Sequence, residues 1–359
     1  MTGRSRPGVR PGDGRPTRRY RRPVTSAQVG TRVDERAFQE QVEPLRRELT
    51  AHCYRMVGSV HEAEDLVQET YLRAWRSFPG FENRSSVRTW MYRIATNTCL
   101  TALEGRSRRP LPTGLGQPAG DPTAELQDRS DIPWLEPAPD TVLWGGPAPD
   151  PADVAVGRDS VRLAFVAALQ HLTAQQRAVL LLREVLRWSA AEVAQALSLT
   201  VAGVNSTLQR ARAHLRALPE ETRPPAAPAW DEYDPRVREL LDAYVRAFEE
   251  YDVDGIVATL TADAVWEMPP FVEWYRGAED VGTLIGTRCP ASGPGDMRLV
   301  RTALNGNPAV AVYMRGPDGV HRAFQVQHLE GDPRGIAHVT VWFGTRVFTA
   351  LGLAEVLPG

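Results

Sequence analysis

Cysteine is scarce in this chain. Only Cys53, Cys99 and Cys289 occur in 359 residues, with no CxxC pair and no His/Cys cluster at metal-ligand spacing. That scarcity argues against a disulfide framework or a zinc site and fits a reducing cytoplasm. No apolar run approaches the length needed to cross a bilayer, and the arginine-rich start is not followed by the apolar stretch of a signal peptide. A soluble, cytoplasmic protein with no membrane partner is expected. Neither sign of charge prevails, with 42 basic residues against 44 acidic ones. Net charge therefore singles out no partner, and any nucleic-acid surface must come from local clustering. The chain is too long for one ordinary core, since domains average roughly 100–200 residues.

Residues 1–34 hold nine arginines and little that could build a core, so they read as a disordered basic arm. They are either a strand-grazing arm for DNA phosphates or a tolerated tail, including one created by a start codon placed too early. Residues 35–112 turn helical. Ser59-Val-His-Glu62 has the pattern of a capping box, and Ala63, Leu66, Val67, Thr70, Tyr71, Ala74, Trp75 and Phe78 follow at three- and four-residue steps, which buries one face. Asp65, Gln68, Glu69 and Leu72 lie on a neighbouring face. A second helix, from about Ser86 to Glu104, leaves Arg88, Arg93, Asn97 and Thr101 outward.

Residues 113–157 are crowded with Pro, Gly and Asp and read as a linker, interrupted by Trp134-Leu-Glu-Pro137 and Trp144. Exposed tryptophans there suggest either chance or docking on a neighbouring domain. Order resumes over 158–218. Thr173-Ala-Gln-Gln176 and Ser189-Ala-Ala-Glu192 each cap a helix, and Thr200 caps another whose inward residues are Val201, Val204, Leu208, Ala211 and Leu215. A short capped helix, a tight turn and a longer helix carrying Arg210, Arg212 and Arg216, with no acid between Thr200 and Leu218, is the helix-turn-helix plan. A Pro/Ala-rich linker covers 219–233. In 234–359, Asp234-Pro235 starts a helix, and short Val- and aromatic-rich runs beyond Met297 predict antiparallel strands, hence an α+β domain with a curved antiparallel sheet.

Two stretches carry a family resemblance. His61-Glu-Ala-Glu-Asp-Leu-Val-Gln-Glu-Thr70 with Arg88-Thr-Trp-Met-Tyr-Arg-Ile-Ala-Thr-Asn97 resembles region 2 of sigma-70 family factors, and residues 161–218 resemble region 4. The absence of regions 1 and 3 points to the extracytoplasmic-function group of RNA polymerase sigma factors. Trp266-Glu-Met-Pro-Pro-Phe-Val-Glu-Trp-Tyr-Arg-Gly277 and Asn305-Gly-Asn-Pro308 resemble the SnoaL-like branch of the nuclear-transport-factor-2-like cone. The fold expected is therefore multidomain: two all-α sigma domains followed by an α+β cone.

The resemblance implies core polymerase and promoter DNA as partners. Asp65, Gln68, Glu69 and Leu72 would meet the polymerase, where an acid and amide stripe can pair with arginines of a partner helix. Asn83, Arg84, Ser85, Arg88, Trp90, Arg93 and Asn97 would melt the minus-10 element, which needs a surface for unstacked bases and cations for phosphates; Trp90 also fits the core. Arg106-Ser-Arg-Arg109 adds a basic cluster. Thr200, Ala202, Asn205, Ser206, Gln209, Arg210 and Arg212 would read the minus-35 element, because Asn and Gln bond bidentately to adenine and Arg to guanine. In the cone, Trp266, Trp274, Tyr313, His328 and Trp342, with Tyr275, either line a ligand pocket or fill the core. Among Asp263, Glu267, His328 and His338 no catalytic pair stands out, and no cofactor or metal is expected. A small ligand in the C-terminal domain and a separate anti-sigma factor are further partners the resemblance admits. Residues 234–359 would modulate the factor. The alternatives are a ligand-responsive helix-turn-helix regulator acting without polymerase, and a cone enzyme carried by a DNA-binding protein.

Overall fold

The computed structural model describes residues 38–81, 85–143, 160–219, 234–332 and 334–357, together with 36, 222 and 230. It divides into two units, residues 1–40 and 41–359. In the first, residues 36 and 38–40 are helical and Arg36 pairs with Glu40 at 2.8 Å; the basic arm lies outside the described residues. The remaining elements belong to the second unit.

Three helices open it: α1 (Arg46–Val57), α2 (Val60–Ser77) and α3 (Val87–Ala102). Helix α1 is buried on all sides from Leu49 onward, so it is the central rod of this part. Gly58 ends it at φ 74°, and a Cβ there would sit 2.8 Å from Leu135 Cδ1. Both the left-handed backbone and the close approach require glycine. Ser59 caps α2 by accepting from Glu62 N at 3.3 Å. The expected reciprocal bond is not made, because the Glu62 carboxylate pairs with Arg106 and Arg109, and a guanidinium is a stronger partner than a neutral amide.

Helices α4 (Leu163–Gln170), α5 (Ala174–Leu180), α6 (Ala190–Leu197) and α7 (Val201–Arg216) follow, with a π-turn Leu181–Val185 extending α5. Here both capping boxes form, at Thr173/Gln176 and Ser189/Glu192. Ser198 turns left-handed at φ 55° to close α6, and Thr200 accepts from Gly203 N at 3.0 Å to open α7. Local rules thus fix the helix-turn-helix.

The C-terminal part comprises α8 (Pro235–Glu250), α9 (Val253–Thr259), β1 (Leu260–Glu267), β2 (Trp274–Arg276), α10 (Ala278–Arg288), β3 (Met297–Leu304), β4 (Asn307–Arg315), β5 (His321–Asp332), β6 (Gly335–Phe343) and α11 (Arg346–Ala350). Asp234 caps α8 as expected. The six strands form one open sheet in the order β2-β1-β6-β5-β4-β3. It is mixed and not purely antiparallel: β1 and β6 run parallel, which the long intervening chain allows and a hairpin would not.

The sheet has two different faces. Trp266, Met268, Val310, Val312, Leu329, Val339 and Val341 join Tyr244, Phe248, Ile256, Val281 and Leu284 from the helices in the main core. The alternate residues Glu267, His328, Thr340 and Trp342 are buried on the other face. Glu267 and Trp342 are bonded there by the segment between the helical parts. Trp274 Nε1 donates to Gln117 O at 3.0 Å, Gly120 N to Trp274 O at 2.7 Å, Val272 N to Gln127 O at 3.2 Å, and Trp342 Nε1 to Leu135 O at 2.9 Å. Proline and glycine leave residues 110–139 with little regular structure beyond the 3-10 turn Pro112–Leu115, so several of their backbone groups are satisfied by the sheet's rim and outer face. Trp144 lies outside the described residues.

Candidate functional site

On α2, Ala63, Leu66, Val67, Thr70 and Ala74 are buried, which turns Asp65, Gln68 and Leu72 outward with Glu69 half-buried beside them. Leu72 is 52 % exposed. Glu69 also holds Arg73 at 2.7 Å. The stripe thus presents an apolar tip among acid and amide groups.

The candidate strand-opening residues are spread along α3. Asn83 and Arg84 lie outside the described residues. Ser85 and Arg93 are exposed. Arg88 binds Glu48 at 2.8 Å and covers the Tyr92 ring at 5.0 Å, so it braces α3 against α1. Trp90 is 6 % exposed, tilted against Phe81 with centroids 4.7 Å apart and near Phe78 at 6.2 Å; its edge lines a cleft and its body is core. Asn97 donates to Ala196 O at 3.2 Å, joining α3 to α6. The cleft between the two measures about 610 Å³ and is lined by Phe81, Thr89, Trp90 and Arg93 on one wall and Trp188 and Gln195 on the other.

Helix α7 packs mainly on α5 and α6 and leaves Ala202, Asn205, Gln209, Arg210 and Arg212 exposed, with Ser206 half-buried. Thr200 is occupied as the cap. Arg210 donates to Ser206 Oγ at 2.6 Å and Thr207 Oγ1 at 3.1 Å, and Arg212 holds Glu184 at 2.5 Å. Both guanidinium groups are thus held by side chains of this helical part, Arg210 within α7 and Arg212 across to the π-turn. Arg210→Ala is expected to weaken duplex binding about tenfold with sequence preference relaxed at one position, read by a titration against two duplexes differing at that base pair; uniform weakening across sequences would make Arg210 a phosphate contact.

The aromatic and histidine residues expected in the cone do not share one pocket. Trp266 is in the helix-side core beside Phe248. Trp274 and Trp342 hold the connecting segment. Tyr313 packs under Phe348 with centroids 5.1 Å apart. His328 lies 6.5 Å from the Trp342 ring. The titratable candidates also divide: Asp263 is exposed, whereas Glu267, fully buried, accepts from Thr113 N and Oγ1 at 3.0 Å each, His338 Nε2 at 2.8 Å and Thr340 Oγ1 at 3.3 Å. Burial pulls the His338 pKa down, but the Glu267 bond and charge and the charge of Glu330 prevail and leave it raised. Among the described residues no group of three or more His, Cys, Asp or Glu is placed to hold a metal ion, and no helix is long and apolar enough to cross a membrane.

A second set of residues carries no motif of its own chemistry. Asn305, buried and left-handed at φ 52°, accepts from Ala138 N at 2.8 Å and donates to the Tyr54 hydroxyl at 3.0 Å and Val161 O at 2.7 Å. The Tyr54 hydroxyl donates to Glu136 O at 2.8 Å, and Ser59 Oγ to Glu136 Oε2 at 2.6 Å. Arg177 of α5 is buried against α1, bonding Met56 O and Gln170 Oε1, and desolvation pulls its pKa down to about 10. The Trp134-Leu-Glu-Pro137 and Asn305-Gly-Asn-Pro308 patterns were the only sequence signals for this junction; Tyr54 and Thr113 had none.

A compact helical pair that includes a helix-turn-helix, with an α+β domain fastened across it, defines the class. Family models match in the same order: Sigma-70 region 2 over residues 41–109, Sigma-70 region 4 over 162–215 and a SnoaL-like domain over 241–343. The chain is 54 % identical over 328 residues to the ECF RNA polymerase sigma factor SigG of Mycobacterium tuberculosis, covering 90 % of this chain and 86 % of that one. It belongs to the extracytoplasmic-function sigma factors. SigJ of the same organism is 28 % identical over 287 residues, covering 78 % of this chain and 82 % of that one. The crystal structure of the Mycobacterium tuberculosis extracytoplasmic function sigma factor SigJ has the same fold, with TM-score 0.57 and 23 % identity over 88 % of this chain and 99 % of that chain.

Proposed function

We propose that this cytoplasmic sigma factor binds core RNA polymerase through Asp65, Gln68, Glu69 and Leu72, opens the minus-10 element with the α3 surface around Trp90, Arg93 and Asn97, and reads the minus-35 element with α7. The observation that carries the reading is that one chain presents both the exposed α2 stripe and the acid-free outer face of α7. A helix-turn-helix regulator working without polymerase needs the second and has no use for the first. Leu72→Arg is the direct test, since an exposed leucine contributes little to the fold. Binding to purified core is expected to fall at least tenfold with an unchanged melting temperature; equal binding would favour the regulator.

The C-terminal domain acts as a regulatory brace and not as an enzyme. Its best-placed acid, Glu267, faces away from the helix-side core and has its oxygens taken by Thr113, His338 and Thr340, so it positions the connecting segment and leaves no lone pair for a substrate proton. Promoter-specific transcription by a chain truncated at Pro219 is expected to exceed that of the full chain; equal activity would remove the regulatory role.

A further inference from the structure

The compact arrangement does not treat the three proposed surfaces alike. The α2 stripe stays outside: α2 leans on α1 and α3, and among the described residues the connecting segment and C-terminal domain bond to it at its N-terminal end. There Glu62 pairs with Arg106 and Arg109, and Val60 and His61 form one side of a groove of about 410 Å³ whose other walls carry Trp134, Pro270 and Phe343. At 1.5 Å per residue, Leu72 lies about 18 Å along the helix from Val60. The outer face of α7 is open too. Among the described residues the α3 surface is the one with another element standing across it: α6 and Trp188 face it over the cleft, Trp90 is 6 % exposed and the Asn97 amide is bonded to Ala196 O, while Ser85, Arg88 and Arg93 keep exposed side chains. The remaining cleft is the size of a small-molecule site. Bases with their backbone would have to enter between α3 and α6.

We propose that the compact chain already takes up core polymerase and that what it withholds is the minus-10 element, so that control acts at strand opening and not at polymerase binding. This rests on the assignment of α2 and α3 above. The fastening is identifiable. Arg177 holds α5 against the end of α1, and Asn305 bonds in one place to α1 through Tyr54, to the connecting segment through Ala138 and to the lead into α4 through Val161. The described residues of the C-terminal domain can therefore keep α6 seated on α3 while leaving the Leu72 end of α2 and the outer face of α7 exposed. Freeing α3 requires the Asn305 junction to let go; exposing the α2 stripe requires nothing.

The test uses the full chain and two independent loosening variants, Asn305→Ser and Tyr54→Phe, the second chosen because it keeps the ring that fills the core. Each is titrated against fluorescent core polymerase, and strand opening is read by permanganate reactivity on a promoter fragment selected by the holoenzyme from a randomised duplex pool. Affinities for core within threefold of the parent, together with at least tenfold more permanganate reactivity, are expected. A tenfold gain in core affinity in step with opening would overturn the proposal, because closure would then gate polymerase uptake. Unchanged opening in both variants, with protease sensitivity showing the junction released, would overturn it as well. If instead the parent and both variants bind core no better than Leu72→Arg does, the assignment of α2 fails and the proposal with it.

Discussion

Replacing Glu267 with leucine is expected to destabilise the chain by about 3–5 kcal/mol, the cost of removing one partner from a buried charged network. The carboxylate is fully buried and accepts four hydrogen bonds, two from Thr113 and one each from His338 and Thr340. Leucine fills much of the space but leaves the Thr113 amide, the imidazole and two hydroxyls without an acceptor, and each buried orphan costs about 1–3 kcal/mol. Glu267→Gln keeps the shape and one acceptor oxygen, so about half of that loss is expected. Denaturant unfolding gives the magnitude, and limited proteolysis gives the place. Cleavage should rise within residues 110–130, since Thr113 anchors that segment. A loss below about 1 kcal/mol for leucine would mean that the network contributes no more than an exposed pair.

Acidification has the second large expected effect. His52 and His328 are both fully buried; desolvation, aided by the charge of Arg55, pulls His52 down to about 3, and desolvation pulls His328 down to about 4. Both are neutral in the fold and take up protons near 6.5 once unfolded. Their folded pKa values are the lower ones, so the unfolded chain binds more protons as pH falls below 6.5, and stability falls with it until about pH 4 for His328 and pH 3 for His52. Between pH 7 and pH 5 each costs about 2 kcal/mol, about 4 kcal/mol together. His338 has the opposite sign. Its raised pKa gives stability that is fully present below 6.5 and is lost as pH rises through the folded value, so it offsets part of the acid loss. His328→Gln should remove about half of the acid sensitivity, measured as urea midpoints at pH 7, 6 and 5. Parallel pH profiles for parent and variant would show that His328 does not remain neutral in the fold.

The legible parts of this protein are those decided within a few residues. Ser189 with Glu192, Thr173 with Gln176 and Asp234 before Pro235 announce their helices because cap and amide are three residues apart or closer. The outward set on α7 follows from helical period except at Val201, which the period turns inward and the structure leaves 46 % exposed in the first turn. The same rule erred at Glu62, where a distant guanidinium claimed the carboxylate intended for the cap. Trp90 was ambiguous for a related reason: period places its ring near the core, but only Phe78 and Phe81 decide how much of it remains outside.

Composition and local pattern by themselves determined the helical parts, the helix-turn-helix and the presence of a strand-rich C-terminal domain, and the family resemblance of residues 61–70, 88–97 and 161–218 implied the sigma-factor character. Tertiary structure alone decided that β1 pairs parallel with β6, that residues 110–139 lie against the sheet's rim and outer face, that the cone's aromatics divide between two faces, and that Asn305 meets a tyrosine 251 residues earlier in the chain. The physical reason is the range of the forces concerned. A cap or an amphipathic stripe is satisfied inside one element, whereas a buried carboxylate or amide has no local solution and takes whichever donors and acceptors the packing of distant segments brings to it.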